Sequence, residues 1–261
     1  MDERAWIDRL VEHEAAYLSM ISTAERGRHG IYLLSPQTPE YRDGNRALGL
    51  RTDGARADEV ARDVVQYYKS RGLSAVADVD PVAEEQGIGE ALMRSGMKPV
   101  LSDRLLMRLG DADLAPATSD TVIVEQIAND AGSGEASEWV ETALADDLGW
   151  PDEAMWRKVA ESEARSKACR LYLARIGSAA VGACDLFEEA NWGRIESVVT
   201  IPTMRRRGVG TALVTRAVSD SLLHGNKITY LFTEPGGDAE LLYRSVGFVT
   251  WSMNIFRQYR G

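Results

Sequence analysis

The chain has 261 residues, 44% of them hydrophobic, which suits one large domain or two modest ones. Its formal net charge of -10 and its isoelectric point of about 4.9 argue against a general nucleic-acid-binding protein, whose footprint is a broad basic face. The acidic N-terminus lacks a signal-peptide pattern, and the chain has only two cysteines, so we expect a cytoplasmic protein. No apolar run approaches about 18 residues, so we expect no membrane span.

The first 110 residues alternate between predicted helices and strands. Apolar residues at helical spacing predict a helix over residues 6–20 and an amphipathic helix over residues 58–68 that ends near Gly72. The other predicted elements of this half are three strands and one short helix, in the order GIYLLS (strand), SAVADV (strand), GIGEALMRS (helix) and DRLLMRL (strand).

The segment GDADLAPATSDT is small, polar and proline-bearing, and it predicts an interdomain linker over residues 111–121. We therefore expect one domain over residues 1–110 and a second, catalytic domain over residues 122–261. The second domain is predicted to be α/β. Its elements follow in the order strand TVIVEQI, helices 135–148 and 152–164, hairpin ACRLYLARIGSAAVGACDLF, strand RIESVVTIP, helix 208–224, strand KITYLFT, helix DAELLYRSV and strand GFVTWSMNIFRQY.

The two halves of the chain resemble each other. ALMRSGM in the first half is similar to LLYRSVGF in the second, which predicts a tandem repeat whose first copy has drifted. A rival register aligns VDPVAEEQGIGEAL with TIPTMRRRGVGTAL, but the first register is preferred because each half then ends in the same helix–strand unit. In the first register Met93 replaces Tyr243, and in the rival one two glutamates replace two arginines and would repel a pyrophosphate.

The stretch PTMRRRGVGTALV, residues 202–214, has the composition of an anion site. A helix that begins at Gly208 leaves four backbone N–H groups without intrahelical partners and carries the positive end of its dipole there. Gly208 and Gly210 allow an anion to approach the backbone, and arginines 205–207 add charge. A Walker A loop is absent, and Leu213 occupies the third glycine position of a dinucleotide fingerprint, so neither of those phosphate sites fits.

The pattern Arg205-x-x-Gly208-x-Gly210 and the later LLYRSVGF, in this order of elements over residues 122–261, resemble the GNAT family of acetyl-CoA-dependent N-acetyltransferases. The resemblance implies the GNAT fold, an α/β architecture with a central mixed, mostly antiparallel sheet flanked by helices, here as two tandem GNAT-like domains with a degenerate first copy. It also implies acetyl-CoA as the co-substrate. His13, His29 and His224 are scattered without ligand spacing, so no metal site is expected.

The resemblance places acetyl-CoA on the last strand residues before the motif and on the motif itself. The backbone N–H groups of residues 206–211 would hold the pyrophosphate, and an amide of Val198 or Val199 would polarise the thioester carbonyl. The expected acetyl-CoA contacts are Val198, Val199, Thr200, Arg205, Arg206, Arg207, Gly208, Val209, Gly210 and Thr211.

Two residues are candidates for proton handling. Tyr243 matches the tyrosine that donates to the CoA thiolate in this family, the alternative being a core tyrosine with a buried hydroxyl. Glu196 is the candidate base or water relay, the alternative being a solvent-exposed strand carboxylate without a role in the reaction. Simple alternation along the strand puts Glu196 on one face with Val198 and Thr200. Glu234 is the fallback base.

The expected activity is transfer of an acetyl group to a small-molecule or peptide amine by a monomer or homodimer that binds no nucleic acid. A catalytically weak CoA-binding or regulatory module is the alternative, favoured by Gly236, which stands where many members of the family carry an asparagine that contacts CoA. We expect a core-packing role for three tryptophans, with a place beside the acceptor as the alternative: Trp139, Trp150 and Trp156.

Overall fold

The computed structural model describes residues 3–100, 103–111, 121–129, 133–145 and 152–261. The chain divides into two compact units, the first made of Met1–Ser102 with Asn254–Gly261 and the second of Asp103–Met253. Within the described ranges, no helix combines the length and apolar character needed to cross a membrane.

Most helices lie where the sequence periodicity predicts them, but α3 was not predicted and α5 ends at Ala143, before the expected end at residue 148. In chain order they are α1 (Glu3–Leu18), α2 (Ala57–Lys69), α3 (Pro81–Glu85), α4 (Ile88–Arg94), α5 (Gly134–Ala143), α6 (Glu153–Arg165), α7 (Val209–Leu223) and α8 (Asp238–Val246). The strands are β1 (Thr23–Arg26), β2 (Ile31–Leu34), β3 (Ala47–Leu48), β4 (Val76–Val79), β5 (Lys98–Pro99), β6 (Leu105–Leu109), β7 (Ile123–Ile127), β8 (Cys169–Ile176), β9 (Ala179–Glu189), β10 (Trp192–Thr200), β11 (Ile228–Thr233), β12 (Phe248–Met253) and β13 (Arg257–Arg260).

The first unit is built on a sheet with the strand order β1-β2-β3-β4-β13-β5. Its helix α2 buries Val60, Ala61, Val64 and Tyr68, which recur at helical spacing and pack into the same apolar cluster as α4 and the strands. The helix ends as expected, because Gly72 three residues beyond it adopts a left-handed backbone angle.

The second unit is built on a sheet with the strand order β12-β6-β11-β10-β9-β8-β7. Strands β10 and β11 are parallel, with α7 as the crossover between them, while the other described pairs of this sheet are antiparallel. Helices α7 and α8 cover one face with an apolar cluster that includes Leu213, Val218 and Phe248. Helix α5 lies on the other face, where buried Trp139 donates from Nε1 to the Cys184 carbonyl at 3.0 Å, so this tryptophan has a core role.

The strand pairing divides the chain differently from the expected boundaries. Strand β6, expected to close the first domain, lies between β11 and β12 in the second sheet, and β13 lies between β4 and β5 in the first. The expected single closing strand is therefore two strands, separated by residues 254–256, in which Asn254 has a φ of 52°. Local patterns predict a strand but not its distant partner, which explains the difference. Residues 112–120 of the expected linker lie outside the described ranges.

The two units share one topological feature, a parallel strand pair with a helix between its strands. In the first unit β3 and β4 are parallel and α2 connects them, as α7 connects β10 and β11. This correspondence agrees with the preferred register of the repeat. Helix α2 begins with Asp58 and Glu59 in its first turn, so the position that matches the arginine–glycine stretch is acidic. Helix α4 carries Met93, half-exposed, where α8 carries Tyr243.

Candidate active site

Strand β10 contains a β-bulge. Glu196 is paired with Asp185 of β9 and Val199 with Ala183, so β10 has one residue more than β9 in this interval, and Ser197 has a φ of 54°. The bulge reverses the alternation of side chains, and the expectation that Glu196 shares a face with Val198 and Thr200 is wrong. Val198 packs with the α7-side cluster, and Glu196 shares the opposite face with Asp185.

Strands β10 and β11 separate toward their carboxyl ends. They pair at Trp192–Arg194 of β10, and beyond Arg194 no described residue of β11 continues this ladder. Strand β11 instead pairs along Tyr230–Thr233 with β6 on its other side. The edge of β10 over residues 196–200 that faces away from β9 is therefore available to an extended ligand, which could pair with it as an added strand.

The N-terminus of α7 opens toward this separation. A short 3-10 turn at Pro202–Met204 is followed by Arg206 and Gly208, whose φ angles of 64° and 77° are left-handed. Within the described ranges, none of the backbone N–H groups of residues 206–211 has an acceptor. Arginines 205–207 are exposed around them, so the arrangement offers unpaired donors, a helix dipole and positive charge to an anion.

Two glycines allow α7 to pack closely. A Cβ on Gly182 of β9 would lie 2.7 Å from the carbonyl oxygen of Val199 and 2.6 Å from Cγ1 of Val209. A Cβ on Gly210 would lie 2.7 Å from Cδ1 of Leu242 on α8. The structure thus gives Gly210 a packing role between α7 and α8, in addition to the expected role in anion access. It also shows that Gly182, which is not part of the sequence motif, allows β9 to pack closely against α7.

We expect Gly182→Ala to lower the free energy of unfolding by about 1–3 kcal/mol, because the new methyl group would meet a backbone carbonyl that cannot rotate away. Chemical denaturation measures the change. Gly134→Ala is the matched control, since a Cβ there meets no atom within 4 Å, and its stability should be unchanged or slightly raised. Equal stabilities of the two variants would show that α7 is not held as closely as described.

Tyr243 lies on α8 in the apolar cluster, with its ring edge-on to Phe248 at 6.1 Å between centroids. In the described part of the chain its hydroxyl has no hydrogen-bond partner. Burial raises the pKa of Tyr243 well above its ordinary value of 10.0, and the nearby charge of Glu196 and the Cys184 thiol raise it further. The hydroxyl therefore keeps its proton at neutral pH.

Glu196 is held by a single buried cation. Arg194 lies two residues earlier on β10. Its Nε donates to Oε2 of Glu196 at 2.8 Å, and its Nη2 lies 2.7 Å from the same oxygen. The carboxylate keeps 28% of its side-chain surface exposed, so water or an acceptor can reach it. Glu234 is exposed just past the end of β11, and Gly236 beyond it donates its N–H to Glu240 at 2.6 Å.

Two buried carboxyl groups beside Glu196 were not among the predicted site residues. Asp185 of β9 is fully buried, and Glu163 of α6 accepts a hydrogen bond from Ser197 Oγ at 3.3 Å. The sequence contains one indication of this site, the single aspartate within the apolar hairpin arm AAVGACDLF. Aspartate is rarely buried without a role, so this residue could have been predicted as a candidate site residue. Residues 146–151, which include Trp150, lie outside the described ranges.

The comparisons with known proteins agree with this geometry. Residues 136–248 match the sequence model of the family described as Acetyltransferase (GNAT) family, and no curated protein sequence matches the chain significantly. Among solved structures, a GCN5-related N-acetyltransferase from Kribbella flavida aligns with a TM-score of 0.70 at 18% identity and covers 97% of this chain and 94% of that one.

Two further solved structures are similar over most of this chain. A GCN5-related N-acetyltransferase from Sphaerobacter thermophilus aligns with a TM-score of 0.61 at 18% identity and covers 91% of this chain and 81% of that one. A tandem GNAT protein from the clavulanic acid biosynthesis pathway aligns with a TM-score of 0.57 at 14% identity, and the alignment covers 83% of this chain and 74% of that one. These similarities confirm the predicted fold class of two tandem GNAT-like domains.

Proposed function

Residues 136–248 are a domain of the GNAT acetyltransferase family, and from this premise we propose that the chain transfers the acetyl group of acetyl-CoA to an amine acceptor. One observation carries the proposal: the unpaired N–H groups of residues 206–211 lie at the helix that follows the separated end of β10. A pyrophosphate and an extended pantetheine arm need these two features side by side.

Acetyl-CoA fits the residues present. The N–H groups of residues 206–211 bind the pyrophosphate, and the exposed arginines 205–207 add charge to that contact. The free edge of β10 over Val198–Thr200 binds the pantetheine arm as an added strand. An amide of Val198 or Val199 donates to the thioester oxygen, where negative charge develops during attack.

The reaction moves one acetyl group and two protons. An ammonium acceptor loses a proton to Glu196, directly or through a water, and its nitrogen forms the C–N bond while negative charge collects on the carbonyl oxygen. The C–S bond then breaks, and the departing thiolate takes one proton from Tyr243. The second proton of the nitrogen passes to solvent, solvent returns a proton to Tyr243, and Glu196 releases the proton it took to solvent. The products are the N-acetylated amine and free CoA, with one proton released to solvent overall.

Thermal unfolding of the full chain with acetyl-CoA, CoA, ATP and NAD in parallel tests the donor. Ligand at about 100 times its dissociation constant should stabilise the protein by roughly 2.7 kcal/mol. We expect this rise with acetyl-CoA and CoA, and amine-dependent release of the CoA thiol in a second assay. Absence of any rise in folded protein would contradict the proposal.

The second candidate is a CoA-binding module without efficient turnover. It is favoured by Gly236, which provides no side chain at the position of the family's asparagine and whose N–H is already occupied by Glu240. This candidate shares the donor site, so it predicts the same stabilisation by CoA but no thiol release with any amine. The buried, protonated Tyr243, whose hydroxyl feels the charge of Glu196 across the sheet, favours the enzyme.

A further inference from the structure

The first unit contains a cavity that the proposed acetyl transfer does not use. Its volume is about 460 Å³, within the range of about 300–1,000 Å³ that is typical of sites for small organic molecules. Two guanidinium groups, one hydroxyl group and three apolar side chains line it, those of Arg42, Arg260, Ser74, Pro39, Leu73 and Val76. The cavity thus combines positive charge with an apolar wall.

This cavity is not the counterpart of the acetyl-CoA site in the first unit. Asn45 and Ser74, which line it, come just before β3 and β4, so the cavity lies at the amino ends of this parallel pair. In the second unit the proposed donor site lies at the carboxyl end of β10, where β10 and β11 separate. Because β3 and β4 correspond to β10 and β11, the cavity occupies the opposite end of the parallel pair.

A chain of hydrogen bonds that begins in the core holds Arg260. Arg46 is buried and donates from Nη1 to Oδ2 of Asp78 at 2.5 Å. Gln258 donates from Nε2 to Oδ1 of Asp78 at 3.2 Å, and its Oε1 accepts a hydrogen bond of 2.8 Å from Nε of Arg260. The guanidinium of Arg260 is therefore fixed through Nε, while its Nη1 and Nη2 have no partner within the described ranges.

Arg42 is the second cation of the cavity. It is exposed and, in the described part of the chain, its side chain forms neither an ion pair nor a hydrogen bond. Burial lowers the pKa of Arg260, and the charges of Arg42 and Arg46 lower it further, while Asp43 and Asp78 act in the opposite direction. Arg46 is paired with both of these aspartates, whereas Arg42 and Arg260 face one cavity and repel each other.

The side chains that line the cavity carry a net positive charge. The exposed Glu40 is the one carboxylate among them, and it pairs with neither arginine. The chain as a whole has a formal net charge of -10, so this cavity is a local exception on an acidic protein. An anion that enters it would gain two forked donors and would relieve the repulsion between them.

We propose that this cavity binds a small dicarboxylate, with one carboxylate on Arg42 and the other on Arg260. Guanidinium groups bind carboxylates through two parallel hydrogen bonds, and the unpaired nitrogens of both arginines are available for such bonds. Leu73 and Val76 provide an apolar wall for the carbon skeleton of the ligand. The inference goes beyond acetyl transfer and gives the first unit a binding role of its own.

Calorimetric titration of the full chain tests the inference with three compounds of the same chain length. Glutarate carries two carboxylates, pentanoate carries one, and pentanediol carries none. We expect glutarate to bind about tenfold to a hundredfold more tightly than pentanoate, the contribution of a second charge-assisted contact, and pentanediol not to bind. Equal affinities for glutarate and pentanoate would overturn the inference.

Methyl phosphate is the fourth compound, because a phosphate monoester also carries two negative charges but places them on one group. The apolar wall and the two separate guanidinium groups favour glutarate over methyl phosphate. Tighter binding of methyl phosphate than of glutarate would overturn the proposed class of ligand.

Arg42→Gln removes one cation without breaking an ion pair or a hydrogen bond of the described structure, so the fold should be retained. We expect glutarate to bind this variant about as weakly as pentanoate binds the wild-type protein. Arg62→Gln is the matched control, because it removes an equal charge from an exposed arginine of α2 that does not line the cavity. An equal loss of affinity in the two variants would show an effect of net charge alone and reject the site.

Arg260→Gln tests the other end of the site. Circular dichroism first establishes that the variant is folded, and the preference for glutarate over pentanoate should then be lost. A preference that survives Arg42→Gln would reject the site whether or not Arg260→Gln folds. The result is independent of the proposed acetyl transfer, since every substituted residue belongs to the first unit and the affinity for acetyl-CoA should stay unchanged.

Discussion

Deletion of residues 254–261 is expected to unfold the first unit and leave the second folded. The deleted segment contains β13, which pairs residue by residue with β4 and also with β5, and it buries Tyr259 to 1% exposure. Removing a buried aromatic side chain alone costs about 3–5 kcal/mol, out of a total stability of roughly 5–15 kcal/mol. Hydrogen exchange measured by mass spectrometry should show loss of protection in α2 and β4 and retained protection in β8 and β9.

Single substitutions in the same strand give the graded control. Tyr259→Ala should destabilise the first unit by about 3–5 kcal/mol. Arg257→Ala removes an exposed ion pair with Glu84 at 2.6 Å and should cost less than about 1 kcal/mol. Full protection of α2 and β4 in the truncated protein would contradict the strand order of the first sheet.

Tyr243→Phe is expected to lower kcat by about a hundredfold or more, the contribution of a positioned proton donor. The affinity for acetyl-CoA and the free energy of unfolding should change little, because the ring that packs against Phe248 is retained. Since burial raises the pKa of Tyr243 above 10.0, the protonated form persists to higher pH than in an ordinary tyrosine. The wild-type rate should therefore not fall through loss of this proton below about pH 10.

Leu241→Ala is the matched control for Tyr243→Phe. Leu241 lies two residues earlier on α8 and is 65% exposed, so its truncation should leave kcat unchanged. Stopped-flow or steady-state thiol release measures both variants, and calorimetry measures their affinity for acetyl-CoA. An unchanged kcat in Tyr243→Phe would favour water as the acid and would leave Tyr243 with a packing role.

Features that depend on short stretches of sequence could be predicted. The beginning of α7 at Gly208 follows from a glycine that adopts a left-handed angle before an apolar helix pattern, and α8 has the bounds that DAELLYRSV indicates. The roles of Glu196 and Tyr243 stay predictions, although the charge of Glu196 acts on the Tyr243 hydroxyl across the sheet.

Features that depend on distant pairing could not be predicted. The bulge at Ser197 arises from the register of β10 against β9, and no local pattern in RIESVVTIP marks the extra residue. For the same reason the environment of Asp185 could not be predicted from the sequence, because it includes Glu163 from a separate helix. The places of β6 and β13 in their sheets follow from pairings that span the length of the chain.

The position of β13 has a consequence for synthesis on the ribosome. Strands β4 and β5 emerge early, but the strand that lies between them is translated more than 150 residues later, as the end of β5 at Pro99 and the start of β13 at Arg257 show. At roughly 5–20 residues per second this delay is on the order of ten seconds. During that time the nascent first unit exposes an unpaired edge of β4, the kind of surface to which chaperones bind and at which chains aggregate.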